Sequence, residues 1–97
     1  MGKHEELRNE IDQIDRQLVQ LFEKRMEVST EIAAYKLANE IPVLDAQREK
    51  NVINKNISYL HDRSLDKYIS EFSKHLMELS RRRQQECLHE NKSAKTC

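Results

Sequence analysis

With 97 residues, the chain has room for one small domain. Its 17 Lys+Arg balance its 17 Asp+Glu, whereas a sequence-independent nucleic-acid binder normally carries a clear basic excess. Charged residues make up 35% and apolar ones 37%, so the core must be narrow; with Gly2 and Pro42 the only glycine and proline, there is little scope for many tight turns or a glycine-rich phosphate loop.

The first element is long. Leu7, Ile11, Ile14, Leu18, Leu21, Arg25, Val28, Ile32 and Tyr35 alternate by four and three, the spacing of one helical face. The pattern stops before "NEIPVLD", where Pro42 biases Ile41 toward extended backbone. A first helix is expected from about Glu5 to about Ala38. At 1.5 Å per residue it spans roughly 50 Å. A compact monomer of this size has a radius of gyration of about 12–13 Å. One chain cannot cover such a helix, so self-association is expected from length alone.

Asp45 can N-cap a second, shorter helix, "AQREKNVINKNISYL", whose Val52, Ile53, Ile57 and Leu60 keep helical spacing. "HDRS" (His61 to Ser64) is a polar break. Leu65, Ile69, Phe72, Leu76 and Leu79 then repeat the four-three spacing through a third helix ending near Leu88. No strand pattern or internal repeat is visible. The expectation is an all-α domain over residues 5–88 with a disordered polar tail, "HENKSAKTC", over 89–97.

The N-terminus "MGKHEELRNE" has no apolar signal region, and Glu6 stands where a myristoylation signal has Ser or Thr. No apolar run approaches membrane-spanning length. Cys87 and Cys97 are too few and too close for a disulfide framework, which fits a reducing cytosol. These features point to a soluble, cytoplasmic protein.

The charged residues on apolar faces carry the functional signal. Arg25 occupies a core position of the first helix. An isolated arginine there usually snorkels or pairs with a nearby Glu. Lys36 follows eleven residues later, three turns plus about 20°, and so projects from nearly the same face. Two cations about 16 Å apart along the axis can reach toward a small anion between them. Asp15 and Glu49 are the internal negative candidates; if both are used elsewhere, the site wants an anionic ligand. Arg48 and Glu49 follow the Asp45 cap, and alone they read as an ordinary helix start. Ser80 and Gln84, one turn apart beside the Leu76–Leu79 stripe, read as the edge of that stripe or as a hydrogen-bonding wall. "RRR" (Arg81 to Arg83) reads as a solvated face. His4, His61, His75 and His89 lack metal-ligand spacing.

Taken together, Arg8, the "IDQID" segment ending in Asp15, Arg25, Lys36 and "PV-D--RE" from Pro42 to Glu49 resemble the all-helical chorismate mutase family. The "S---Q" pair fits at Ser80 and Gln84 after a small length change in the preceding loop, so the resemblance covers about residues 6–88. It implies an intertwined homodimer of three-helix chains with the long first helices side by side. It implies the Claisen rearrangement of chorismate to prephenate, at the branch to phenylalanine and tyrosine, a unimolecular reaction needing no nucleophile, metal or organic cofactor. By the same resemblance Arg8 and Arg25 clamp carboxylates, Lys36 and Gln84 donate to the ether oxygen, and Glu49 accepts from the ring hydroxyl with the Asp45 backbone nearby. Arg48 and Ser80 line the site. Arg8 and Arg25, seventeen residues apart on one helix and thus roughly 25 Å, cannot grip one small ligand from the same chain. Arg8 is expected to reach into the partner's site.

Two rival readings are distinguishable. An isochorismate pyruvate-lyase shares the fold and a similar cation set; Asp45 and Glu49 together favour the mutase, and an assay with both substrates discriminates. A non-catalytic helical interaction module predicts that Arg25, Lys36 and Glu49 tolerate conservative exchange. The matched spacing of so many polar positions argues against it.

Overall fold

A first helix, α1 (Lys3–Ala38), runs unbroken for 36 residues. The computed structural model describes residues 2–90, with side chains through residue 88. After α1 come α2 (Ala46–Ser58), a single 3₁₀ turn (Arg63–Leu65) and α3 (Asp66–Glu90), with no strand among the described residues. The three expected helices are all present. Helix α3 continues through His89 and Glu90, where a tail was expected to begin; residues 91–97 of that tail lie outside the described residues.

The end of α1 is set by backbone geometry as well as by Pro42. Glu40 adopts φ 56°, in the left-handed region. Its N–H reaches the Leu37 carbonyl at 3.3 Å, and the Ile41 N–H reaches the Lys36 carbonyl at 2.8 Å. This crossed pair is the Schellman arrangement, which satisfies carbonyls that a helix end leaves open. The chain thereby folds back over the last turn of α1. Asp45 then caps α2, its Oδ1 accepting from the Arg48 N–H at 3.0 Å. At the second junction, Asp62 accepts from the backbone N–H and hydroxyl of Ser64, at 3.0 and 2.6 Å.

Helix α3 packs on both α1 and α2. The faces it uses differ from those the apolar pattern points to. On α3 the buried residues are Ser73, Met77, Ser80, Gln84 and Cys87. These keep four-three spacing, but they lie one position beyond the stripe of Leu65, Phe72, Leu76 and Leu79. In α1 only Ser29, Thr30 and Ala33 are buried. The apolar stripe of α1 stays open, with Ile14 52%, Leu18 50% and Leu21 67% exposed. Between α1 and α3 these side chains form an apolar groove of about 370 Å³, walled by Leu18, Leu21 and Phe22 on one side and Phe72, Leu76 and Leu79 on the other. The molecule is 55 Å long with a radius of gyration of 16.8 Å, well above that of a compact chain of this length. The intrachain core is narrow and largely polar. Asn56 donates to the Ser73 hydroxyl across α2 and α3 at 2.8 Å. Cys87 is 1% exposed and closes the buried face of α3. Cys97 lies outside the described residues.

Candidate active site

The second half of α1, the loop before α2, the start of α2 and the middle of α3 enclose a cavity of about 250 Å³. Arg25, Lys36, Asp45, Arg48, Glu49, Ser80 and Gln84 all line it. Arg8 does not; it sits exposed near the N-terminus of α1, in a separate surface hollow with Glu5 and Asp12.

Arg25 reaches the cavity because it leaves the apolar stripe at its junction with the polar face, and it borders both the cavity and the apolar groove. Its Nη1 donates to the Ser80 hydroxyl at 2.9 Å. Ser80 in turn donates to the Leu76 carbonyl at 3.0 Å, which fixes the acceptor in place. Among the described residues Arg25 makes no ion pair. Burial, and secondarily the positive charge of Arg48, lower its pKa from the usual arginine value. Both causes oppose the charged form. The guanidinium remains a cation at neutral pH, since arginine starts far above it. A half-buried cation with a neutral partner favours an anionic ligand.

Lys36 is aimed by the fold-back of the α1 end. Its ammonium donates to the Val43 carbonyl at 3.0 Å, across the loop that the Glu40 turn creates. An ammonium has further donors for a ligand. Glu49, in the first turn of α2, pairs with Arg81 of α3. Gln84 is 8% exposed. Its amide nitrogen donates to the backbone carbonyl and hydroxyl of Ser29, at 2.8 and 2.9 Å. The Ser80–Gln84 pair is thus a hydrogen-bonding wall rather than the edge of an apolar stripe.

Two polar residues of this cavity escaped the sequence reading. Ser29 lies one turn beyond Arg25 and seven residues before Lys36, on the same helical face; that spacing alone could have singled it out. The "RRR" run reads as a solvated face, but Arg81 lines the cavity. Helical geometry turns successive residues by about 100°. Arg81 therefore enters the cavity while Arg82 and Arg83 stay exposed. Its position between Ser80 and Gln84 was the available signal. Val28, Ile32 and Met77 add apolar wall.

The cavity combines several fixed cations, a hydrogen-bonding wall and one carboxylate paired across helices. That arrangement suits a small polyanionic ligand with a hydroxyl group. A segment of 44 residues is 41% identical to the T-protein of Haemophilus influenzae. It covers 45% of this chain and 12% of that protein, so the chain spans only a small part of the relative it matches. No solved structure matches the chain. Residues 7–85, which include every cavity residue named above, match the family described as chorismate mutase type II. The chain belongs to the chorismate mutase type II family.

Proposed function

We propose that this protein is a chorismate mutase, rearranging chorismate to prephenate in the cytoplasmic biosynthesis of phenylalanine and tyrosine, and that it works as a homodimer with shared active sites. The observation that carries the reading is the convergence of Arg25, Lys36, Glu49 and Gln84, from three helices, on one cavity. The reaction breaks an ether bond and forms a carbon–carbon bond within one molecule. Catalysis then reduces to holding a dicarboxylate in its reactive shape and stabilising the charge that grows on the ether oxygen. Arg25 takes one carboxylate with a planar fork that lysine cannot copy. Lys36 donates to the ether oxygen and a carboxylate, and Gln84 donates to the same oxygen from the opposite wall with the hydrogen that it otherwise gives to the Ser29 hydroxyl. Glu49 accepts from the ring hydroxyl beside the Asp45 backbone, while Arg48 and Ser80 complete the lining. Arg8 is supplied by the second chain. The open apolar groove between α1 and α3 supports that assembly, because a monomer rarely leaves so continuous an apolar surface in water.

The direct test follows chorismate loss and prephenate formation with the purified protein. Turnover without any added metal or organic cofactor is expected. No conversion of chorismate, or release of pyruvate from isochorismate instead, rejects the mutase reading.

A further inference from the structure

We propose that Arg81 is a positioning and specificity-determining residue of this site. It neutralises Glu49, so that an acidic hydroxyl acceptor can stand in a cavity built to receive a dicarboxylate. The inference rests on the mutase reading above and extends it to a residue outside the set transferred by family resemblance.

The geometry is specific. Arg81 Nη1 donates to Glu49 Oε2, joining α3 to the first turn of α2. The two side chains are 31% and 27% exposed, so solvent only partly screens the pair. The neighbouring arginine behaves differently: Arg83 pairs with Glu86 on its own helix, at 3.3 Å and with both side chains more exposed. Asp45 already spends an oxygen on the cap of α2. Glu49 is therefore the carboxylate whose charge bears most directly on an incoming anion. Like charges at short range in a partly dehydrated cavity oppose binding. A carboxylate has lone pairs for more than one donor. Glu49 can thus keep Arg81 on one oxygen and still accept a ligand hydroxyl. Arg81 removes the electrostatic penalty and fixes the direction of the acceptor, acting on the ligand through Glu49.

The test compares wild type, Arg81→Met, Arg81→Lys, Glu49→Gln and the double variant Arg81→Met/Glu49→Gln, all as the full chain, with circular dichroism to establish folding. Methionine keeps much of the apolar stem and removes the charge; Arg81→Gln gives the same readout where the methionine variant does not fold. Arg81→Met is expected to lose roughly tenfold in kcat/KM, the scale of one hydrogen bond to a charged group. The loss should fall mainly on KM, because compensation of Glu49 serves ground and transition states alike. Arg81→Lys should recover most of it. The double variant should have a lower KM than Arg81→Met alone, since glutamine still accepts a hydroxyl but no longer repels the dicarboxylate. A purely structural salt bridge would also couple the two residues, but its loss would lower kcat or the folded fraction, and removing the Glu49 charge would not lower KM. An active wild type with unchanged KM in Arg81→Met, or a double variant whose KM is no lower than that of Arg81→Met, overturns the inference and leaves the mutase reading intact. A wild type that does not turn over chorismate overturns both.

Discussion

Gln84 tests how the site treats the atom where charge develops. Its amide nitrogen is held by two acceptors on Ser29, at 2.8 and 2.9 Å. Those contacts orient the donor side of the amide toward α1 and restrict its rotation. Under the proposed mechanism the ether oxygen gains negative charge as its bond breaks, so a donor is required at any pH. A carboxyl group at this position can donate only when protonated. When ionised it also faces the Ser29 carbonyl, an acceptor, and the repulsion favours its neutral form. Gln84→Glu is therefore expected to have low activity at neutral pH and to recover as pH falls. Lys36 opposes that shift by favouring the ionised form. pH–rate profiles of both proteins check the claim, and a variant equally active at pH values of about 8 and about 5 removes Gln84 from the ether oxygen. Much of this site was legible in the sequence because a charge on an apolar face is conspicuous: Arg25 and Lys36 declared themselves. Arg81 and Ser29 did not. One stood in a run of arginines and the other was an ordinary small polar residue, and only the packing of α3 against α1 and α2 gave them partners.

Helix ends and helix faces carried different amounts of information. Asp45 as cap and Pro42 as breaker placed the start of α2 and the end of α1 closely, because both act through local backbone chemistry. The left-handed Glu40 was not legible, since glycine is the usual signal for that conformation. A side chain there costs roughly 1–2 kcal/mol, offset in part by the entropy a glycine loses on folding, about 0.5–1 kcal/mol. Glu40→Gly is expected to stabilise the fold by up to about 1 kcal/mol, read as a rise in thermal midpoint. No rise would mean that the turn already accommodates its side chain without strain. The faces were read less well than the ends. Four-three spacing marks Leu65, Ile69, Phe72, Leu76 and Leu79 as one stripe of α3, yet these stay exposed or half-buried while the chain fully buries Ser73, Met77, Ser80, Gln84 and Cys87. An apolar pattern records every surface that avoids water and does not say which chain provides the cover.

At the scale of the whole molecule, that displaced pattern and the position of Arg8 meet in one expectation. The outward stripes of α1 and α3 form a groove lined almost wholly by apolar side chains. A two-fold dimer lets each chain present the same surface to the other. Sedimentation at micromolar concentration is expected to give twice the chain mass, and a stable, active monomer excludes the shared-site arrangement. Such a dimer would also supply what one chain lacks. Arg8 lies roughly 25 Å along α1 from Arg25 and outside the cavity that holds Lys36 and Gln84. If Arg8 crosses to the partner's cavity, Arg8→Ala and Arg25→Ala should each lose roughly 10²-fold or more in activity, as expected for a main electrostatic contact. A mixed dimer of the two variants has one cavity altered at both positions and one altered at neither. With free exchange, half of all dimers are mixed and each has a single intact site. Mixing equal amounts should therefore restore about a quarter of the wild-type activity. Exchange is checked independently by native mass spectrometry of differently tagged chains. Restored activity is the signature of a site built by two chains. If exchange is complete and activity stays at the level of the separate variants, Arg8 does not act across the interface, and the carboxylate must be held by Arg25 together with Arg48 of the same chain.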